Sequence, residues 1–263
     1  MEPAFNGSRI WEVGNSGNYQ YHPVARLHTP LIWKLWHGMD QEKIWSERYR
    51  AVGDDYLFGT APNRFLAHRA QLFRPGMTAL AVADGEGRNS VWLAELGLQT
   101  TAVEISAPAL AKARRLAAAR QVTVRFLLAD MLADDWPPVE LVETFDWVVA
   151  IFVQFVGPTE RPRQFDSLRR LVRPGGRLLL QGYTPRQIDY RSGGPSAVDN
   201  LYTPDLLRGA FADWQIEDLV EYEDEICEGL GHCGRSALIG LVVRKPDRRT
   251  VSGSLSDLGS GKP

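Results

Sequence analysis

The chain has only two cysteines, Cys227 and Cys233, in 263 residues, and almost no charge imbalance, with 30 Lys and Arg against 32 Asp and Glu. Two cysteines cannot build a disulfide framework, and neither has close metal-ligand partners, so no metal is expected. A net charge of -2 gives no reason to expect a polyanionic partner. The arginines are scattered over helical patterns and form no basic groove with interleaved aromatics, so nucleic acid is not an expected partner. No apolar run approaches the length of a membrane span, and no signal-peptide pattern opens the chain. The expectation is a cytoplasmic protein with no membrane partner. What remains is ordinary globular composition, 44% hydrophobic and 24% charged, at a length that can bury one substantial core.

The informative stretch is Ala81-Val-Ala-Asp-Gly-Glu-Gly-Arg-Asn89. Thr78 to Ala83 is a short apolar run, as a central parallel strand should be. Gly85 and Gly87 let the backbone approach a ligand at the strand's carboxyl end. Arg88 to Leu96 carries apolar residues at helical spacing and stops at Gly97. A strand, a glycine turn and a helix N-terminus make a nucleotide-binding corner. Dinucleotide sites favour a third glycine where this chain has Ser90. Asp84 and Glu86 flank the first glycine; they would repel a pyrophosphate but not a ligand bearing a sulfonium and an α-amino group. The next strand, Gln99 to Val103, ends in Glu104, placed to accept hydrogen bonds from ribose hydroxyls.

Strand and helix patterns alternate along the chain. Helices are predicted near 40–51 and 62–73, strands at 78–83, 99–104, 123–128, 145–152 and 177–183, and helices at 88–96, 107–120, 160–172 and 204–211. Two last strands, about 214–222 and 235–244, are joined by a loop and predicted to be antiparallel. The alternation implies an α/β, doubly wound, mostly parallel sheet. The antiparallel ending argues against a dehydrogenase, whose second half repeats the strand-helix unit. Residues 1–38, rich in Gly, Asn, Ser and Pro, are expected to be a poorly ordered extension, 39–245 the domain, and 246–263 a disordered tail.

Over roughly residues 40 to 245 the sequence resembles the class I S-adenosylmethionine-dependent methyltransferases. The resemblance rests on the glycine turn 84–89, Glu104, Asp130 at the end of the third strand, and Leu171-Val-Arg-Pro-Gly-Gly-Arg177 before the fifth. The Gly-Glu-Gly-Arg-Asn wording, Trp45-x-x-Arg48-Tyr49 and Glu228-Gly-x-Gly-His-x-Gly-Arg-Ser236 look most like the tellurite-resistance and thiopurine-type branch. Asp84 stands where many members carry glycine. The resemblance implies a seven-stranded Rossmann-like sheet with an antiparallel last strand. It also implies S-adenosylmethionine held by Asp84, Gly85, Glu86, Gly87, Asn89, Glu104, Ile105, Asp130, Met131 and Phe152.

Methyl transfer from a sulfonium is an in-line displacement that needs alignment and a dry, aromatic-walled pocket. Tyr56 to Phe65, containing Phe58, Gly59 and Asn63, is a candidate lid. Gln154 stands past the fourth strand and is a candidate to orient a nucleophile, with Phe155 walling the pocket. Tyr183, which ends the fifth strand, is a candidate catalytic residue, and the insert 184–202 is a candidate roof for an acceptor. His232, set among glycines between the last strands, is a candidate general base. Arg235 either binds an anionic acceptor or pairs with the acidic run Glu221 to Glu225. The expected acceptor is a small soluble molecule (a thiol, chalcogen oxyanion or heterocycle), and the expected assembly a monomer or homodimer. A nicotinamide-dependent oxidoreductase and a non-catalytic cofactor-binding protein remain as alternatives.

Overall fold

Alternate side chains of the central strands enter two apolar layers. In β1 (Thr78–Val82) and β4 (Phe145–Ile151) every second residue faces the same side of the sheet. Leu80, Val82, Val148 and Ala150 face one layer, and Ala79, Trp147, Val149 and Ile151 the other. Burial on both faces explains why these strands read as continuous apolar runs. The computed structural model describes residues 41–248. The extension expected over 1–38 lies outside the described residues, as does the expected tail beyond residue 248.

The other strands are β2 (Gln99–Glu104), β3 (Val124–Leu128), β5 (Val172–Tyr183), β6 (Gln215–Glu228) and β7 (His232–Arg244). The sheet order is β3-β2-β1-β4-β5-β7-β6. Neighbours among β1 to β5 are parallel, while β7 runs antiparallel to both β5 and β6. The helices are α1 (Gln41–Ala51), α2 (Arg64–Ala67), α3 (Arg88–Glu95), α4 (Ala107–Ala119), α5 (Arg161–Leu171), α6 (Gln187–Tyr190) and α7 (Pro204–Ala210). Phe165 and Leu168 of α5 and Leu207 of α7 pack on one face of the sheet, and Leu93 of α3 and Phe65 of α2 on the other. The expected mostly parallel seven-stranded sheet with an antiparallel last strand is the observed one.

Two expectations change. The helix expected over 62–73 is reduced to the four residues of α2 and a 3-10 turn at Ala70–Leu72. The loop expected between the last strands shrinks to residues 229–231, because β6 continues to Glu228 and β7 begins at His232. Glu223 to Glu225, expected in that loop, lie with the rest of the acidic run in the edge strand of the sheet. Its carboxylates are held from the side: Arg235 and Arg186 pair with Glu223, and Arg64 pairs with Asp224 at 2.8 Å. Charge along an exposed edge blocks pairing with another strand.

The topology gathers loops from every strand at one end. The carboxyl ends of β1 to β5 point the same way, and the tip of the β6–β7 hairpin reaches that same end. The strand order reverses between β1 and β4, the place where open α/β sheets hold ligands.

Candidate active site

The corner after β1 is built from three consecutive devices. Ala83 has φ 47°, Gly85 61° and Gly87 90°. The non-glycine residue of this turn whose backbone would favour glycine is therefore Ala83, not the neighbouring Asp84. At Gly87 a Cβ would come within 2.7 Å of the Ala113 Cβ, so glycine lets α3 close on α4. Asp84 instead uses its side chain. Its carboxylate accepts hydrogen bonds from the Ser90 hydroxyl and from the Ser90 amide at 3.3 Å. This supplies the first turn of α3 with the anionic partner that Gly87 cannot offer. Burial pushes the Asp84 carboxyl up to about 7, against the opposing pull of its Ser90 bonds.

Glu104 closes the corner from β2. One carboxylate oxygen accepts from the Gly85 amide at 2.9 Å and the other from the Ser106 amide at 2.9 Å. Burial raises its pKa above the ordinary carboxylate value, opposed by those backbone donors. A carboxylate offers about four acceptor sites, so two bonds fix its orientation and leave capacity for hydroxyl donors. Ile105 follows it, half-buried. Asp130, beyond β3, is exposed and accepts from the Leu132 amide at 2.8 Å, while Met131 beside it is buried.

Glu86 and Asn89 turn elsewhere. Glu86 accepts from Lys112 Nζ at 2.9 Å and from the Leu57 amide at 2.7 Å. Lys112 also donates to the carbonyls of Tyr49 at 2.8 Å and Asp55 at 2.7 Å, which uses all three ammonium hydrogens. This buried pair fastens the chain after α1 to the corner. Asn89 accepts from the Asn63 amide at 2.9 Å, and Asn63 in turn caps α2 through the Leu66 amide at 3.2 Å. Both residues therefore hold the segment that covers the corner.

That cover is aromatic. Tyr49 lies over the glycine turn so closely that a Cβ on Gly85 would stand 2.6 Å from its hydroxyl. Burial, followed by the charges of Glu104, Glu86 and Asp84, holds its phenol pKa well above the ordinary value. Trp45 stacks on Tyr49 at 5.9 Å and meets Phe155 edge-on at 6.2 Å, and Phe58 meets Tyr49 edge-on at 6.4 Å. The hairpin tip presses on this segment: Gly231 donates to the Leu57 carbonyl at 2.7 Å, and Gly229 packs against Gly59. Arg88 of α3 bonds Glu228 at 2.7 Å, with both side chains buried.

A second group forms past β4 and β5. Phe152 adopts φ 57° and stacks on Tyr183, ring centroids 4.6 Å apart. Positive φ on a phenylalanine is strained backbone, and strain of this kind collects at functional sites. Burial raises the Tyr183 phenol pKa far above its usual range. Gln154 does not face an open pocket. Its carbonyl accepts from the Tyr183 amide at 2.6 Å, and its amide donates to the Tyr183 carbonyl at 2.9 Å and the Asn200 carbonyl at 3.2 Å. The side chain expected to orient a nucleophile instead braces the backbone beneath Tyr183.

The structure thus brings together Asp84, Gly85, Gly87 and Glu104, and separately Phe152, Gln154 and Tyr183. His232 opens β7 opposite Glu228, and its side chain lies outside the described part of the structure. Arg235 bonds Glu223 through Nε at 3.0 Å, so it pairs within the acidic run. Lys112 does not stand out in the sequence, and Glu228 stands there only as the start of the Glu228 to Ser236 motif, with no role. Lys112 had a signal, since it falls on the buried stripe Ala109, Ala113, Leu116 of α4.

Residues 79–176 match a family model described as a methyltransferase domain. A demethylmenaquinone methyltransferase of Thermus thermophilus is 35% identical over 108 residues, covering 40% of this chain and 47% of that protein. The chain thus matches about half the length of this curated relative. TehB from Haemophilus influenzae has a similar structure, with TM-score 0.58 and 19% identity over 78% of this chain and 66% of that one. Magnesium protoporphyrin IX methyltransferase from Synechocystis PCC 6803, solved with bound S-adenosylhomocysteine, gives TM-score 0.54 and 14% identity over 81% and 92%. These structural likenesses establish the shared fold.

Proposed function

We propose that this chain, which carries a class I methyltransferase domain, binds S-adenosylmethionine at the β1–β2 corner and methylates a small soluble acceptor. The observation that carries the reading is Glu104. It is a buried carboxylate fixed by the Gly85 and Ser106 amides beside the reversal of strand order, with acceptor capacity left for ribose hydroxyls. The donor set fits the group. The buried carboxyl groups of Asp84 and Glu104 make the corner hostile to a pyrophosphate, Glu86 being paired with Lys112, and the aromatic cover of Trp45, Tyr49 and Phe58 suits a cationic sulfonium. Asp130 is the candidate acceptor for an adenine amino group. When bound, S-adenosylmethionine supplies an electrophilic methyl group.

The chain's own part is to orient and to exclude water. The Lys112–Glu86 pair and the Asn63–Asn89 bond hold the cover down. Phe152, stacked on the buried Tyr183, is the candidate aromatic wall for the acceptor, and Gln154 keeps the backbone beneath Tyr183 in place. His232, at the hairpin tip, is the candidate to take the acceptor's proton. The acceptor class, a thiol, chalcogen oxyanion or heterocycle, follows from the resemblance of the sequence motifs to the tellurite-resistance and thiopurine-type branch. Among the described residues no helix is long and apolar enough to cross a membrane. A cytoplasmic monomer or homodimer stays part of the proposal, carried by the sequence alone.

Isothermal titration with S-adenosylhomocysteine and with NAD tests the cofactor. Binding of the former in preference to NAD is expected, and the reverse preference overturns the reading. A screen of small acceptors coupled to S-adenosylhomocysteine release, with His232→Ala as the control, then identifies the substrate.

A further inference from the structure

We propose that Cys227 and Cys233 are a redox modification site, forming a reversible disulfide that locks the hairpin tip onto the lid segment around Leu57. The β6–β7 register sets the two cysteines directly opposite each other, one pair inside the Glu228–His232 closing pair. Directly opposed residues of an antiparallel pair have Cα atoms about 4.5–5.5 Å apart. A disulfide spans Cα separations of about 4.4–6.8 Å, so the Cα spacing of a directly opposed pair lies within its reach. Both cysteines are free and exposed, and directly opposed residues of a pleated pair project to the same face, so the two thiols lie side by side on the solvent side of the hairpin.

Their position gives the bond a consequence. The contacts by which residues 228–231 grip the cover come from within the loop the disulfide would close. Glu228 bonds Arg88 and Asn63, Gly229 packs on Gly59, and Gly231 donates to the Leu57 carbonyl. Leu57 is itself tied to Glu86 through its amide. A crosslink at the base of this tip restricts the strands from splaying and so holds the grip on the cover of the corner.

The oxidant is a low-molecular-weight disulfide such as oxidised glutathione. One cysteine thiolate attacks it, forming a mixed disulfide and releasing one thiolate. The second cysteine thiolate then attacks the protein-side sulfur, forming the Cys227–Cys233 bond and releasing the second thiolate. The protein dithiol loses two electrons and two protons, and the oxidant becomes two thiols. The contact with Cys227 holds the Cys233 thiol above its ordinary range, so exchange runs faster at alkaline pH.

The test uses the whole chain equilibrated in buffers of reduced and oxidised glutathione, then alkylated and weighed by mass spectrometry. The expected result is loss of both alkylatable thiols with no glutathione retained, and recovery of both on reduction. Cys227→Ser is expected to retain one glutathione on Cys233. A wild-type chain that keeps glutathione on each cysteine, or keeps both thiols at every ratio, overturns the proposal. Hydrogen exchange of the oxidised chain is expected to slow at the Gly231 amide, and unchanged exchange there overturns the clamp. No cofactor or acceptor enters either measurement, so failure here is distinct from failure of the methyltransferase reading.

Discussion

Replacing Asp84 by Asn tests the corner's electrostatics without changing its shape. The amide can still accept from the Ser90 amide and can donate to the Ser90 hydroxyl, so the first turn of α3 keeps its partner. What disappears is a buried charge. Burial moves the Asp84 carboxyl from 3.8 to about 7, and each unit corresponds to about 1.4 kcal/mol. The wild-type chain therefore bears an upper limit of about 4 kcal/mol for keeping this group ionised in the folded state. The sign follows from proton counting. Between pH 4 and pH 7 the folded chain binds more protons at this site than the unfolded chain, so stability falls as pH rises through that window and levels off above it. Asp84→Asn is expected to be the more stable protein at pH 8, with the difference closing toward pH 4. Urea unfolding followed by the fluorescence of the chain's tryptophans, at a series of pH values, measures both curves. Parallel curves for the two proteins across pH 5 to 8 would refute the reasoning.

Lys112→Met is expected to destabilise the fold by about 3–5 kcal/mol, because Glu86 is left buried without its cation. Urea unfolding measures it, and adding Glu86→Leu is expected to recover much of the loss. Gln154→Leu removes three hydrogen bonds to the backbone of Tyr183 and Asn200. It should lower kcat through displaced Tyr183 while leaving S-adenosylhomocysteine affinity near wild type, which steady-state kinetics and titration separate. An affinity loss equal to the rate loss would place Gln154 at the cofactor instead.

The parallel core was legible because it is written in local terms. Ala79 to Val82 and Trp147 to Ile151 are apolar without alternation, as strands buried on both faces are. Glu104 was legible too, since a carboxylate closing a buried strand has few reasons to be there. The hairpin was misread because an edge strand beside solvent has the composition of a loop, and pairing between β6 and β7 is a tertiary fact. The roles of Glu86, Asn89 and Gln154 were hidden for a similar reason. Their partners Leu57, Lys112, Asn63, Tyr183 and Asn200 lie 26 to 46 residues away in sequence. No local pattern distinguishes a side chain aimed at a ligand from one aimed at distant backbone.

The measurement that bears most directly on the cofactor site is isothermal titration of S-adenosylhomocysteine into the wild-type chain and Glu104→Gln. The substitution keeps the side chain's size and removes its charge and one acceptor. The wild-type chain is predicted to bind, and Glu104→Gln to bind at least about tenfold more weakly, a loss of about 1.4 kcal/mol. Equal affinity in the two proteins, or no binding by the wild-type chain, would contradict the assignment of the β1–β2 corner as the S-adenosylmethionine site.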